Sequence, residues 1–188
     1  MTRIIAGVAG GRRISVPPKG TRPTTDRVRE ALFSTLESRI GGGWSEVSFL
    51  DVFAGSGAVG LEAASRGARS VTLVEQARGA IAVLRKNIEV VSQPVTLLEC
   101  SADAIGVHLE QPVTIAFLDP PYELSDRELT RVLEVLTMRA WIDEHTLIVL
   151  ERSARASENL LDASAQRRAY GETVLWYGQF SRSEQEGQ

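Results

Sequence analysis

Beyond residue 45 the chain switches repeatedly between two spacings of apolar residues. Short runs that are apolar nearly throughout, "VSFLDVF" (47–53), "SVTLVE" (70–75), "VTLLEC" (95–100), "TIAFLD" (114–119) and "TLIVLER" (146–152), read as buried strands. Between them lie stretches with apolar residues three and four apart. Ile81, Leu84, Ile88 and Val91 mark one face of a helix over Ala77–Val91, and Leu129, Val132, Leu133 and Leu136 do the same over Ser125–Arg139. Shorter helices are expected over Ala58–Arg66 and near Ala102–Leu109. Strands buried on both sides and separated by helices predict an α/β fold with a mostly parallel sheet and helices on both faces.

The two ends depart from this alternation. "RRAYGETVLWYGQF" (167–180) reads as two strands joined through Gly171, an antiparallel C-terminal hairpin at the sheet edge, and the polar residues 181–188 are expected to be disordered. At the front, Arg3–Ala6 and Arg12–Val16 flank a Gly-rich turn and predict a small N-terminal β-hairpin. "RPTTDRVREALFSTL" then predicts a helix capped by Thr25 or Asp26, with an apolar face of Val28, Ala31, Leu32 and Leu36, stopped by the glycines at 41–43. The expected organisation is a hairpin arm over 1–20, an α/β domain over 21–180 and a tail over 181–188.

Composition narrows the function classes. Hydrophobic residues make up 43% of the chain and charged residues 24%, ordinary for a soluble globular protein. The single cysteine, Cys100, excludes an internal disulfide and lies in an apolar run, so a buried, inert thiol is expected. His108 and His145 stand far apart without neighbouring ligand types, which argues against a metal site and a Ser-His-Asp triad. With no signal peptide and no apolar run of about 18 residues, a cytoplasmic location is expected. The net charge of −3 hides an asymmetry: residues 1–39 carry +5 and the remainder −8. A basic front on an acidic body suggests a nucleic-acid or membrane contact at that end, against the plainer reading of a solvated basic terminus.

"LDVFAGSGAVGLEAA" follows the first sheet strand and opens a helix, with Gly55, Gly57 and Gly60 matching G-x-G-x-x-G. Glu75 ends the next strand, where a carboxylate can take a ribose diol. The motif alone does not separate NAD, FAD and S-adenosylmethionine. Asp51, just before the glycines, would repel a pyrophosphate and attract the cationic methionine end of S-adenosylmethionine. Asp103, after the third strand, can accept an adenine amino group, unless it is a plain helix cap. These features favour S-adenosylmethionine.

"FLDPPYE" gives the sharper chemical signal, at the strand edge where open α/β sheets bind ligands. An exocyclic amine on a base is a poor nucleophile until acceptors hold its N–H groups. Asp119 and the Pro120 carbonyl supply two acceptors, Pro120 and Pro121 stiffen their geometry, and Tyr122 offers a face for a flipped base. The plainer reading is a rigid strand-ending turn with a surface tyrosine.

Asp-Pro-Pro-Tyr resembles the amine-methylation motif of the S-adenosylmethionine-dependent methyltransferases. "RIIAGVAGGRRI", "RPTTDRVREALF", "LDVFAGSGAVGLEAASRGA" and "FLDPPY" occur in this order, a combination similar to the bacterial 16S rRNA (guanine-N2)-methyltransferases of the D type, over nearly the whole chain from Arg3 to about Phe180. The resemblance implies a Rossmann-like class I methyltransferase fold and methylation of guanine 966 in the conventional rRNA count. It also implies an N-terminal hairpin that helps hold rRNA, and a 30S subunit or late assembly intermediate as partner. It places cofactor contacts at Asp51, Phe53, Gly55, Gly57, Glu75, Ala102, Asp103 and Asp119, with Thr24, Thr25 and Arg27 at the helix start that packs against the methionine end. Catalytic positions are Asp119, Pro120, Pro121 and Tyr122; Arg3, Arg12, Arg13, Lys19 and Arg22 are expected to contact RNA. No metal is called for, and nothing in the sequence demands more than a monomer.

The rival readings are an adenine-N6 methyltransferase of DNA or RNA on the same scaffold, and a non-catalytic rRNA-binding assembly factor. The segment after Tyr122 runs directly into the next helix and strand, leaving no room for the separate recognition domain that DNA enzymes use. The intact Asp51, Glu75 and Asp119 argue against a decayed pocket. An NAD-dependent oxidoreductase would lack a proton donor. Chemistry alone does not separate guanine N2 from adenine N6, so the base rests on the resemblance.

Overall fold

The computed structural model describes residues 1–17, 26–41, 43–108, 110–155 and 159–180. Thr24, Thr25, Lys19 and Arg22, the expected tail over 181–188 and the expected boundary at residue 20 lie outside the described residues.

Among the described residues, seven strands form one sheet. In chain order after the N-terminal pair, β1 (Thr2–Arg3) and β2 (Arg13–Ile14), they are β3 (Ser48–Asp51), β4 (Ser70–Val74), β5 (Thr96–Leu98), β6 (Ile115–Leu118), β7 (Leu147–Ser153), β8 (Gln166–Tyr170) and β9 (Thr173–Gly178). Their spatial order is β5-β4-β3-β6-β7-β9-β8, parallel from β5 to β7 and antiparallel where β9 joins β7 and β8. The helices are α1 (Asp26–Arg39), α2 (Ala58–Ser65), α3 (Arg78–Val91) and α4 (Asp126–Met138).

Alternation along the strands divides the core in two. Phe49, Phe117 and Val149 face a layer built by α1, α2 and α3, while Leu50, Ala116, Leu118 and Ile148 face α4 with Ile105 and Trp141. Both layers are needed because each strand of β3 and β6 is buried on both sides. β5, at the edge, has no fully buried residue.

Two expectations are corrected. The helix expected near Ala102–Leu109 is a single 3-10 turn, Ala102–Ala104. Beyond it the backbone bonds to a neighbour instead of to itself: the Gly106 carbonyl accepts from Trp141 Nε1 at 2.7 Å, and the His108 N–H donates to the Arg139 carbonyl at 2.8 Å. In α1 the buried face includes Arg29, Phe33 and Thr35 beside Val28, Leu32 and Leu36, and Ala31 is only half-buried.

The N-terminal hairpin is shorter than expected as ladder, two residues per strand. It is tied firmly to the domain. Ile4 and Ile14 are 0% and 1% exposed and sit in the same core as Leu32, Leu61 and Leu84. Glu62 of α2, itself 0% exposed, accepts from the Ile5 N–H at 2.6 Å and the Ala6 N–H at 2.9 Å. Ser65 donates to the Ala6 carbonyl and accepts from the Ala9 N–H, and its own carbonyl takes the Val8 N–H. A side chain at Gly7 (φ +80°) would put Cβ 1.9 Å from that carbonyl oxygen. Arg12 Nη1 donates to the Val90 and Val91 carbonyls at the end of α3. The hairpin therefore satisfies terminal carbonyls of two helices, groups that otherwise need water or a cap.

Candidate active site

The strand order reverses at β3, which has β4 on one side and β6 on the other. A crevice above the carboxyl ends of β3 and β6 is where such a sheet takes its ligand. The motif residues gather at this edge. Asp51 is the last residue of β3, Glu75 follows β4, Ala102 and Asp103 follow β5, and Asp119 follows β6. A groove of about 560 Å³ opens at the opposite edge, beside Ser48, Ser70, Thr96 and Trp141, and holds none of them.

Asp51 is 1% exposed. Its Oδ2 accepts from the Gly60 N–H at 2.9 Å, in the first turn of α2, while Oδ1 meets no donor among the described residues. Burial pushes its carboxyl up to about 7, and the charge of Glu75 adds to the shift. A buried acceptor without a donor marks a place where an incoming cation or N–H group would be stabilised.

Glu75 shapes the glycine loop directly. Its Oε2 accepts from the Gly55 N–H at 2.8 Å, and Oε1 from the Gln76 and Ala77 N–H groups at the start of α3. Oε2, with one donor against the two on Oε1, keeps a further lone pair for a ligand hydroxyl. Gly57 has φ +78°, and a Cβ there would lie 2.4 Å from Leu84 Cδ1, so the loop rests against α3. Phe53 is half-buried against the α4-side core. Ala102 is buried and Asp103 exposed, beside Cys100. Cys100 is half-buried rather than buried, and desolvation followed by Asp103 pushes its thiol up, away from a reactive thiolate.

Asp119 stands where β6 gives way to the Pro120-Pro121 turn, half-buried. Its carboxyl lies well above the usual carboxylate range, pushed first by burial and then by the charges of Glu151 and Asp51. Sequence reasoning missed Glu151. Leu118 of β6 pairs with Leu150 of β7, so the next residues, Asp119 and Glu151, continue side by side. The available signal was positional: "FLD", "LVE", "FLD" and "VLE" all end apolar runs with an acid.

The loop after Asp119 is pinned at both ends. The Pro121 carbonyl accepts from the Leu124 N–H at 3.0 Å, and Ser125 with Glu128 forms a reciprocal cap at the start of α4. Tyr122, between these anchors, is 70% exposed, a ring open to an incoming flat ligand.

Of the expected RNA contacts, Arg3 and Arg13 are exposed and directly paired across the hairpin. Like charges so placed repel, which an anion would relieve. Arg12 is exposed but engages the carbonyls ending α3. Arg27 is exposed in the first turn of α1.

A family model described as conserved hypothetical protein 95 matches residues 2–179. The chain is 38% identical over 151 residues to ribosomal RNA small subunit methyltransferase D of Escherichia coli K12, covering 79% of this chain and 73% of that protein. A solved hypothetical protein of Thermus thermophilus superposes with a TM-score of 0.78 at 32% identity, covering 95% and 99% of the two chains. The T. thermophilus 16S rRNA N2 G1207 methyltransferase, solved with AdoMet and guanosine, shares the fold, with a TM-score of 0.66 at 19% identity over 86% of this chain and 45% of that one.

Proposed function

The chain belongs to the conserved hypothetical protein 95 family, and we propose that it is an S-adenosylmethionine-dependent methyltransferase acting on the exocyclic N2 amine of a guanine of the 966 type in 16S rRNA. Its substrate in this reading is the 30S subunit or a late assembly intermediate, met by a monomer in the cytoplasm. One observation carries the reading: the buried Asp51, with Oδ1 meeting no donor among the described residues, ends β3 beside β6, and its charge acts on Asp119 at the Pro-Pro turn that follows β6.

A ligand with a cationic amino-acid end and a ribose diol fits these residues. Asp51 would hold the cationic end, Glu75 the ribose hydroxyls, and Ala102 with Asp103 the adenine edge, while Phe53, Gly55 and Gly57 line the loop. Thr25, which precedes α1 in the sequence and lies outside the described residues, is assigned to the methionine end on the resemblance alone. S-adenosylmethionine, when bound, supplies a methyl group on a sulfonium centre.

The residues of this chain do the rest. The Asp119 carboxylate and the Pro120 carbonyl accept the two N–H bonds of the amine and aim its lone pair, so rate comes from positioning and local electrostatics. The same surroundings that raise the Asp119 carboxyl make its ionised form a better base. It is therefore suited to receive the proton that leaves nitrogen as the methyl arrives. Tyr122 stacks the base, and Arg3, Arg13, Lys19 and Arg22 approach phosphates. Incubation with labelled S-adenosylmethionine and 30S subunits lacking the modification tests the reading. Label is expected on one guanine N2, and its appearance on adenine, or nowhere, overturns it.

A further inference from the structure

Glu62, Ser65 and Asn87 are buried polar side chains that hold hairpin backbone. Glu62 and Ser65 reach the hairpin from α2. Asn87, on α3, reaches two places at once. Its Oδ1 accepts from the Ser15 N–H at 2.9 Å, and its Nδ2 donates to the Ser15 carbonyl at 2.9 Å and to the Ser56 carbonyl at 2.8 Å. Ser56 lies between Gly55 and Gly57, at the centre of the glycine loop. Both amide protons are thereby used, in a side chain 1% exposed, where any partner left unpaired is costly.

We propose that Asn87 is a positioning residue that couples the hairpin to the cofactor loop, so that S-adenosylmethionine at the loop tightens the hairpin and RNA on the hairpin tightens the cofactor. The proposal rests on the reading that the loop takes the cofactor and the hairpin meets RNA. Its physical basis is short. Gly55 and Gly57, at φ +55° and +78°, make the orientation of the Ser56–Gly57 peptide depend on its partners, the Ala54 carbonyl that takes its N–H at 2.6 Å and the Asn87 amide on its carbonyl. A ligand seated on the loop fixes that peptide, the fixed carbonyl orients Asn87, and Asn87 orients Ser15. Leu84, one turn earlier on α3, packs against Gly57 and keeps helix and loop in step. Such coupling is reciprocal in binding free energy. The hydrogen bonds of Glu62 and Ser65 run to the hairpin and not to the loop, so these two anchor the hairpin without carrying the signal.

Hydrogen exchange on the full chain, with and without saturating S-adenosylhomocysteine, tests this. In the wild type the ligand is expected to slow exchange roughly fivefold or more, both around residues 55–60 and in the hairpin around 4–15. Asn87→Ala should keep the slowing at the loop and lose it in the hairpin. Ser65→Ala should speed hairpin exchange in both states yet keep the ligand-dependent difference. A merely structural Asn87 would speed exchange equally with and without ligand. Asn87→Leu, which fills the space, serves if the alanine variant does not fold. Hairpin amides indifferent to ligand in the wild type, or a ligand effect that survives loss of Asn87, overturn the coupling while leaving the cofactor reading intact. A wild type that shows no calorimetric binding of S-adenosylhomocysteine removes the cofactor reading, and the coupling with it.

Discussion

Asp51 ends β3 and Asp119 follows the neighbouring β6, and each carboxyl sits above its ordinary range because burial disfavours its charge. For Asp51 the consequence can be worked through. Below about pH 7 the carboxyl is largely protonated in the folded protein, whereas in the unfolded chain it ionises near 3.8. The folded state then holds the extra proton, so Asp51's contribution is fully present below 3.8 and is lost as pH rises through about 7. A cationic ligand reverses the preference, since it favours the carboxylate. Affinity for S-adenosylmethionine should therefore climb with pH up to about 7, approaching tenfold per unit, with release of one proton. Calorimetry in buffers of different ionisation heat reads that proton, and Asp51→Asn should flatten the profile. Asp119→Ala has a different signature. Catalysis should fall about 100-fold or more, while the melting temperature holds or rises, because Glu151 and Asp51 lose a like-charged neighbour. A variant that keeps more than about a tenth of the wild-type rate would remove Asp119 from the role assigned to it.

Among the elements, the hairpin depends on α2 through one side chain. Glu62→Ala would strand the Ile5 and Ala6 N–H groups and release Arg66, whose Nε pairs with Glu62 at 2.8 Å. Two part-buried donors without acceptors should cost about 2–3 kcal/mol, a fall of about 4–12 °C in melting temperature. A thermal melt within about 2 °C of wild type would show that the hairpin does not rely on this clamp. None of this could be read from the sequence, because Glu62 and Asn87 look like ordinary solvent-facing helix residues, and their hairpin partners lie 56 to 72 positions away. The sheet was legible for the opposite reason. Runs such as "FLDVF" and "TIAFLD" bury both faces, and α3 and α4 bury one clean stripe, so local pattern and tertiary structure agree. The turn after β5 misled because Ala102 and Ile105 keep helical spacing while Trp141 and Arg139 take the backbone groups that a helix would have used. The motif residues were legible because each lies at or shortly beyond the carboxyl end of a strand; Glu151 was not, because its strand carried no motif.

On the scale of the whole molecule, the +5 of residues 1–39 overstates what RNA could meet. Arg29 is 0% exposed and donates to Asp26, Thr2 and the Arg3 carbonyl, and Arg12 is engaged at the end of α3. Arg3 and Arg13 remain as the exposed cross-strand pair. Replacing both by alanine should lower the log–log salt slope of 30S binding by roughly 1.4–1.8, at about 0.7–0.9 per phosphate contact. KM for the subunit should rise while calorimetric affinity for S-adenosylmethionine is kept, and an unchanged slope would show that the pair touches no phosphate. The way the hairpin is fastened also fixes an order of events during synthesis. Beyond the contacts of Thr2 and Arg3 with α1, its anchors sit at Glu62, Ser65, Asn87 and Val90, so the hairpin cannot complete its contacts until the chain has grown to the end of α3. Contacts that span so much chain form late, after the loop between them has been closed by other means. Ile4 and Ile14 therefore travel without their full cover until α2 and α3 have been made, and a segment synthesised early is among the later ones to find its place.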